Sequence, residues 1–161
     1  MVDDKINKSV EPEVKSVDLG FVEKRKFAIN GDITRLLEIC VSDMNIIVRL
    51  NEAYPKLQGL VNEAQDALGG LDDDAGLGEL ADVLVKIDKD MREQIDYIFD
   101  TNASEICAPK GNMYDPIDGG FRFEHIIECL AKLYETGLEG EFKKLQTKTA
   151  KHTTKYTKKA K

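Results

Sequence analysis

The chain has 161 residues, of which 42% are hydrophobic and 33% charged, and its net charge is −7. That length suits one domain with a real core, and the acidic balance argues against a dedicated nucleic-acid binder. The apolar runs are only a few residues long, far short of the roughly 18–20 that span a bilayer, and the start Met1-Val2-Asp3-Asp4-Lys5 is polar, so we expect a cytosolic protein without a membrane span.

Residues 1–16 are polar and read as a loose arm. From Ser16 to Ile39 apolar residues alternate with polar ones: Val17, Leu19 and Phe21, then Phe27 and Ile29, then Leu37 and Ile39. Asn30-Gly31 sits between the last two groups, and both residue types accept positive φ, so a tight hairpin is expected there. The region predicts a small antiparallel sheet of two or three strands. Ser42-Asp43 then offers a helix N-cap. Ile46, Leu50, Ala53, Leu57, Val61, Ala64 and Leu68 follow with helical spacing, and Gly69-Gly70 ends the run. Pro55 lies inside and is expected to kink or split this helix near Tyr54. After an acidic, glycine-rich connection, Leu80, Leu84, Ile87, Met91, Ile95 and Ile98 mark a second helix ending at Phe99. The segment 101–120 holds Pro109, Gly111, Pro116, Gly119 and Gly120 and reads as a loop with room for a short pairing segment. A third helix starts near Phe121, with Phe123, Ile126, Leu130, Leu133, Tyr134, Leu138, Phe142 and Leu145 on its apolar face. Gly137 and Gly140 weaken it, each by roughly 1 kcal/mol relative to Ala. The expected fold class is α+β and mostly helical, a small N-terminal β-hairpin followed by about three amphipathic helices. Residues 17–146 form the expected single domain and 147–161 a Lys-rich tail.

Charge is unevenly placed. Residues 143–161 carry eight lysines, one histidine and no acid, so they lift a body of −15 to the net −7. Lys144, Lys148, Lys151, Lys155 and Lys158 step by four and three, which aligns them on one helical stripe. Threonines at 147, 149, 153, 154 and 157 and repulsion between the lysines oppose a helix there. The tail is expected to fray alone and to order against an acidic surface, that of a partner or of a sister subunit.

Few residues are equipped for catalysis. Cys40, Cys107 and Cys129 are odd in number and widely spaced, which fits neither a disulfide framework nor a zinc site. Asp72-Asp73-Asp74 and Glu79 suggest calcium, but an EF-hand read from Asp72 places Gly76 and Leu77 where an oxygen donor and the invariant glycine belong. Gly76-Leu77-Gly78-Glu79-Leu80-Ala81 matches a loose dinucleotide string but follows a helix, outside any βαβ unit. His125 and Cys129 are i and i+4 on one helix, without a third orienting group or an oxyanion site. The expectation is a protein that is not an enzyme and that binds no cofactor or metal.

Several segments go beyond such patterns. Ile29-Asn30-Gly31-Asp32, Ser42-Asp43-Met44-Asn45-Ile46 with Arg49-Leu50, Ile95-Asp96-Tyr97-Ile98-Phe99 and Phe123-Glu124-His125-Ile126 occur in this order, ahead of a lysine-rich end around Tyr156. Together they resemble the small tail assembly chaperones of long-tailed phages that infect Gram-positive bacteria, over roughly residues 18–160. The resemblance implies a protein that acts in the host cytoplasm, binds the helical tape-measure protein and leaves as tail tube subunits polymerise. It also implies absence from the mature virion, a longer form made by ribosomal frameshifting, and no catalytic residues.

A binder of a long amphipathic helix needs an apolar surface of its own and enough charge to remain soluble. Ile87, Met91, Ile95, Leu130, Leu133 and Tyr134 are the expected apolar partner contacts, and self-association into a homo-oligomer is expected. Two alternatives stand beside this one. The chain could be a structural virion subunit of a tail or connector, or a small nucleic-acid-binding regulator using its basic tail. The acidic body and the lack of a base-reading motif weigh against the last.

Overall fold

The structure is a computed structural model that describes residues 12–20, 24–70 and 76–157, with side chains as far as 149. Its elements in chain order are β1 (Arg25–Ile29), β2 (Asp32–Ile39), α1 (Asn45–Gly69), α2 (Leu77–Phe99), α3 (Ala103–Cys107), β3 (Pro116–Ile117), β4 (Gly120–Phe121) and α4 (Arg122–Thr157). The fold is α+β and mostly helical, with a two-stranded antiparallel sheet ahead of the helices.

The hairpin forms where the Asn-Gly pair places it. Asn30 (φ 53°) and Gly31 (φ 74°) both take the left-handed conformation, and Ile29 pairs with Asp32 across them. The register then slips, because Ala28 pairs with Leu36. The slip is local chemistry: the Asp32 carboxylate accepts from the backbone N–H of Thr34 at 2.9 Å and from its hydroxyl at 2.6 Å, folding the chain out of the ladder. Beyond it Leu37 and Ile39 enter the core, and Arg35 points the same way.

Residues 17–20 form no strand, contrary to the alternation in the sequence. Val17 and Leu19 are exposed, and the Asp18 carboxylate accepts the Gly20 N–H at 2.8 Å in a local turn. Alternation creates a strand only where a neighbouring edge supplies hydrogen bonds, and residues 12–20 have none. Phe21 lies outside the described residues.

Helix α1 runs through Pro55 without a break. Pro55 is exposed, so its ring and the carbonyl it deprives of a donor face solvent, while Ala53 and Leu57 hold the other face in the core. Asp43 accepts the Asn45 N–H at 2.9 Å, one residue ahead of the cap position expected of it, and ion-pairs with Arg49 at 2.9 Å. Helices α1 and α2 are antiparallel: Glu63 faces Lys86, Glu52 accepts the Tyr97 hydroxyl, and Arg49 donates to the Ile98 carbonyl at 2.8 Å. Their shared seam is built from Ala53, Leu57, Val61 and Ala64 against Ile87, Met91, Ile95 and Ile98.

The segment 101–120 is more ordered than a loop. It contains α3 and the β3–β4 hairpin, whose turn puts Asp118 (φ 50°) and Gly119 (φ 83°) in the left-handed region. Two arginines hold it. Arg35 donates to the carbonyls of Ile106 (2.7 Å) and Cys107 (2.9 Å) at the C-terminal end of α3. Arg92 donates to Ala108 (2.9 Å) and Gly111 (2.8 Å) and ion-pairs with Asp88, which itself accepts the Met113 N–H at 2.7 Å. These side chains satisfy carbonyls that a short helix and an irregular segment leave without backbone partners.

Candidate functional site

Besides Val14, Val17, Leu19 and Ile33, the exposed large apolar side chains stand mostly on helices. At the start of α1, Met44 at the N-cap and Ile47 and Val48 are exposed, and Tyr54 is exposed two turns on, with Ile47 59% accessible. Three- and four-residue steps bring Met44, Ile47 and Val48 together on one turn. Arg49 and Glu52 stand beside this strip, fixed by their bonds to Ile98, Asp43 and Tyr97. The hydrogen bond to Glu52 raises the pKa of the Tyr97 hydroxyl, so the pair is a neutral phenol donating to a carboxylate. Burial works to raise the Asp43 pKa, but the Asn45 N–H and the Arg49 guanidinium outweigh it and hold this carboxyl below its ordinary 3.8.

Helix α4 carries a second bare strip. Its first turns are packed, with Phe123, Leu130 and Tyr134 buried. At Gly137 the helix touches the β2–α1 connection so closely that a Cβ would lie 2.6 Å from Val41 Cβ. Past that point no described side chain is buried through Thr149. Leu138, Phe142 and Leu145 share a face there, and Phe142 and Leu145 are 47% and 57% exposed. Lys143, Lys144 and Lys148 border it, with Lys144 also paired to Glu141 at 2.9 Å. The Thr147 and Thr149 hydroxyls donate to the carbonyls of Lys143 and Leu145, which reconciles threonines with a helix. The backbone stays helical to Thr157, so the boundary expected at 147 does not coincide with the end of an element. The side chains of Lys151, Lys155 and Lys158 lie outside the described residues.

No family model, curated protein or solved structure matches the chain.

The six residues expected to contact a partner are placed differently. Ile87, Met91 and Ile95 are wholly buried in the α1–α2 seam, Leu130 and Tyr134 are buried where α4 meets the core, and Leu133 is half-buried against it. Five of the six are used up in packing the monomer, and Leu133 keeps part of its surface. Periodicity identifies an apolar face but not whether the chain's own next helix covers it, and α1 covers this one. Ile47 and Val48 carried a signal, because they broaden the apolar arc of α1 beyond its buried face.

A cleft of about 400 Å³ lies between the hairpins and α4, lined by residues that include Asn30, Cys107, Arg122, His125 and Cys129. Its two basic side chains are already engaged. The His125 Nε2 lies 2.7 Å from the Ile117 carbonyl, and Arg122 binds the Asn112 carbonyl and Asp115. Burial pushes the Cys107 thiol up to about 11, which keeps it protonated at neutral pH. His125 and Cys129 thus line one cleft, but the ring is spoken for by a backbone carbonyl. Among the described residues no group of three or more His, Cys, Asp or Glu is placed to hold a metal ion, and no helix is long and apolar enough to cross a membrane. Glu79 is exposed in the first turn of α2, whereas Asp72, Asp73 and Asp74 lie outside the described residues.

Proposed function

We propose that this protein is a non-enzymatic tail assembly chaperone of a long-tailed phage, which binds the tape-measure protein while the tail is built. The reading rests on the resemblance carried by the hairpin, the capped helix and the aromatic helix end. The observation that supports it best is the exposed strip Met44–Ile47–Val48–Tyr54 on a helix whose opposite face is firmly packed. Such a strip suits the apolar face of an amphipathic helix laid across it, with three- and four-residue anchors on both sides. A client whose own apolar face would otherwise aggregate is kept in solution, and the surrounding charge keeps the pair soluble. Work of this kind belongs in the host cytoplasm and ends when tail tube subunits take over the client.

Co-expression with the tape-measure protein tests the proposal. A complex that co-elutes, and that is lost in the double variant Ile47→Asp, Val48→Asp while the helical circular dichroism is kept, is the expected result. Failure of the wild-type chain to hold the tape-measure protein in solution overturns it. So does recovery of the chain from purified particles in stoichiometric amounts, the mark of a virion subunit.

A further inference from the structure

Two apolar helix strips of matching length lie on this chain, one flanked by acids and the other by lysines at its C-terminal end. The first is the outer face of the start of α2, where Leu77 (79% exposed), Ala81 and Val85 (69%) recur every fourth residue. Between positions 71 and 85 the sequence holds the acids Asp72, Asp73, Asp74, Glu79 and Asp82 and no base. The second is the Leu138–Phe142–Leu145 strip of α4, which has Glu139 and Glu141 beside its first turn and no acid from 143 onward, where Lys143, Lys144 and Lys148 follow. At about 1.5 Å per residue the strips are about 12 Å and 10 Å long.

Within one molecule they do not meet. Helix α4 touches α2 at the other end of that helix, where the Phe99 and Tyr134 rings lie 6.0 Å apart. From Phe99 back to Leu77 is about 33 Å along α2, and α4 continues beyond Tyr134 as one uninterrupted helix. Leu77, Ala81, Val85, Phe142 and Leu145 are exposed in the isolated chain, and Leu138 is half-buried.

We propose that the Leu138–Phe142–Leu145 strip of α4 docks on the Leu77–Ala81–Val85 strip of α2 in a second copy of this chain. The apolar side chains pack helix on helix, and Lys143, Lys144 and Lys148 meet Glu79 and Asp82. The charge on each strip also suits the dipole of its own helix, acids at an N-terminus and lysines towards a C-terminus. Reciprocal exchange between two copies covers all four strips and closes the assembly about a two-fold axis. This surface is separate from the α1 strip and does not depend on what that strip binds.

Light scattering on the full chain, at about 0.05 M and about 0.5 M salt, reads the association and its screening. The expected mass at low salt is that of two copies, falling towards one as salt rises. Two charge-reversed proteins then locate the contact: Lys144→Glu with Lys148→Glu, and Glu79→Lys with Asp82→Lys. All four positions are exposed, and circular dichroism verifies that both proteins fold. Each alone is expected to associate about 100-fold more weakly. Mixed together they are expected to pair again, because the acids placed at 144 and 148 in one protein now face the lysines placed at 79 and 82 in the other. A wild-type chain that stays monomeric overturns the proposal, as do reversed proteins that associate like the wild type or a mixture that fails to pair. A monomer whose α4 variants lose a co-expressed tape-measure protein assigns the strip to that client instead and equally overturns self-docking.

Discussion

Two glycines three residues apart on α4 carry opposite consequences. An alanine at either position gains up to about 1 kcal/mol of helix propensity. At Gly140 the new methyl meets nothing within 4 Å, so Gly140→Ala is expected to stabilise the helix by most of that amount. At Gly137 it meets Val41 Cβ and Cγ2 at 2.6 Å and the Val41 carbonyl at 2.8 Å. Overpacking of this kind costs about 1–3 kcal/mol, so Gly137→Ala is expected to destabilise. Thermal melts of the two variants decide both signs. Spacing alone marked both glycines as weak points and could not tell them apart, because the difference lies in Val41, nearly a hundred residues away in the chain. The cysteines divide in the same manner. Cys129 is exposed, whereas burial takes the Cys107 thiol up to about 11, so iodoacetamide at pH 7.5 is expected to modify Cys107 at least tenfold more slowly, as peptide mass spectrometry would read it. Asp43 gives the acid limb. Its folded pKa is depressed, so its stabilising effect is complete above the ordinary 3.8 and is lost as pH falls through the folded value. Asp43→Asn is expected to be less stable than the parent at pH 7 and to flatten the loss of stability below about pH 4, which denaturant titrations across that range measure.

At the scale of elements, the long helices and the Asn30-Gly31 hairpin were legible because each rests on a local rule of period or turn chemistry. What lay beyond reading was the segment 101–120, whose order comes from Arg35, Arg92 and Asp88 reaching in from distant positions. Nothing in the spacing of proline and glycine announces that a guanidinium from β2 will cap α3. The candidate site was hidden for a related reason: Ile87, Met91 and Ile95 have the stronger pattern because they are core. Ile47 and Val48 break a polar face that would otherwise be unremarked. Arg92 supplies a test of this anchoring. Its removal leaves the carbonyls of Ala108 and Gly111 and the half-buried Asp88 without their partner, which costs on the order of 3 kcal/mol. Arg92→Ala is therefore expected to lower global stability by about that much. In hydrogen exchange it is expected to lower protection first at Ile106, Ala108 and Met113, ahead of the α1–α2 seam.

For the molecule as a whole, stability and association reside in different parts. The core is closed by Tyr134, and no described side chain from 138 to 149 is buried. A chain ending at Leu138 is expected to melt within a few degrees of the full protein, since surface changes of this sort stay within about 0.5 kcal/mol. It also loses the eight lysines, which leaves it far more acidic, and it is expected to be monomeric at every salt concentration.

The 36 residues of α4 bear on how the protein travels as well as on what it touches. At 1.5 Å per residue the helix is about 54 Å long. A globular chain of this size has a radius of gyration of about 15 Å, so the helix outruns the body that carries it. A rod drawn through solvent adds friction without adding mass. Even a single copy will leave a sizing column early and sediment slowly, and retracting the rod against a neighbour will make a pair drag less than two separate molecules do.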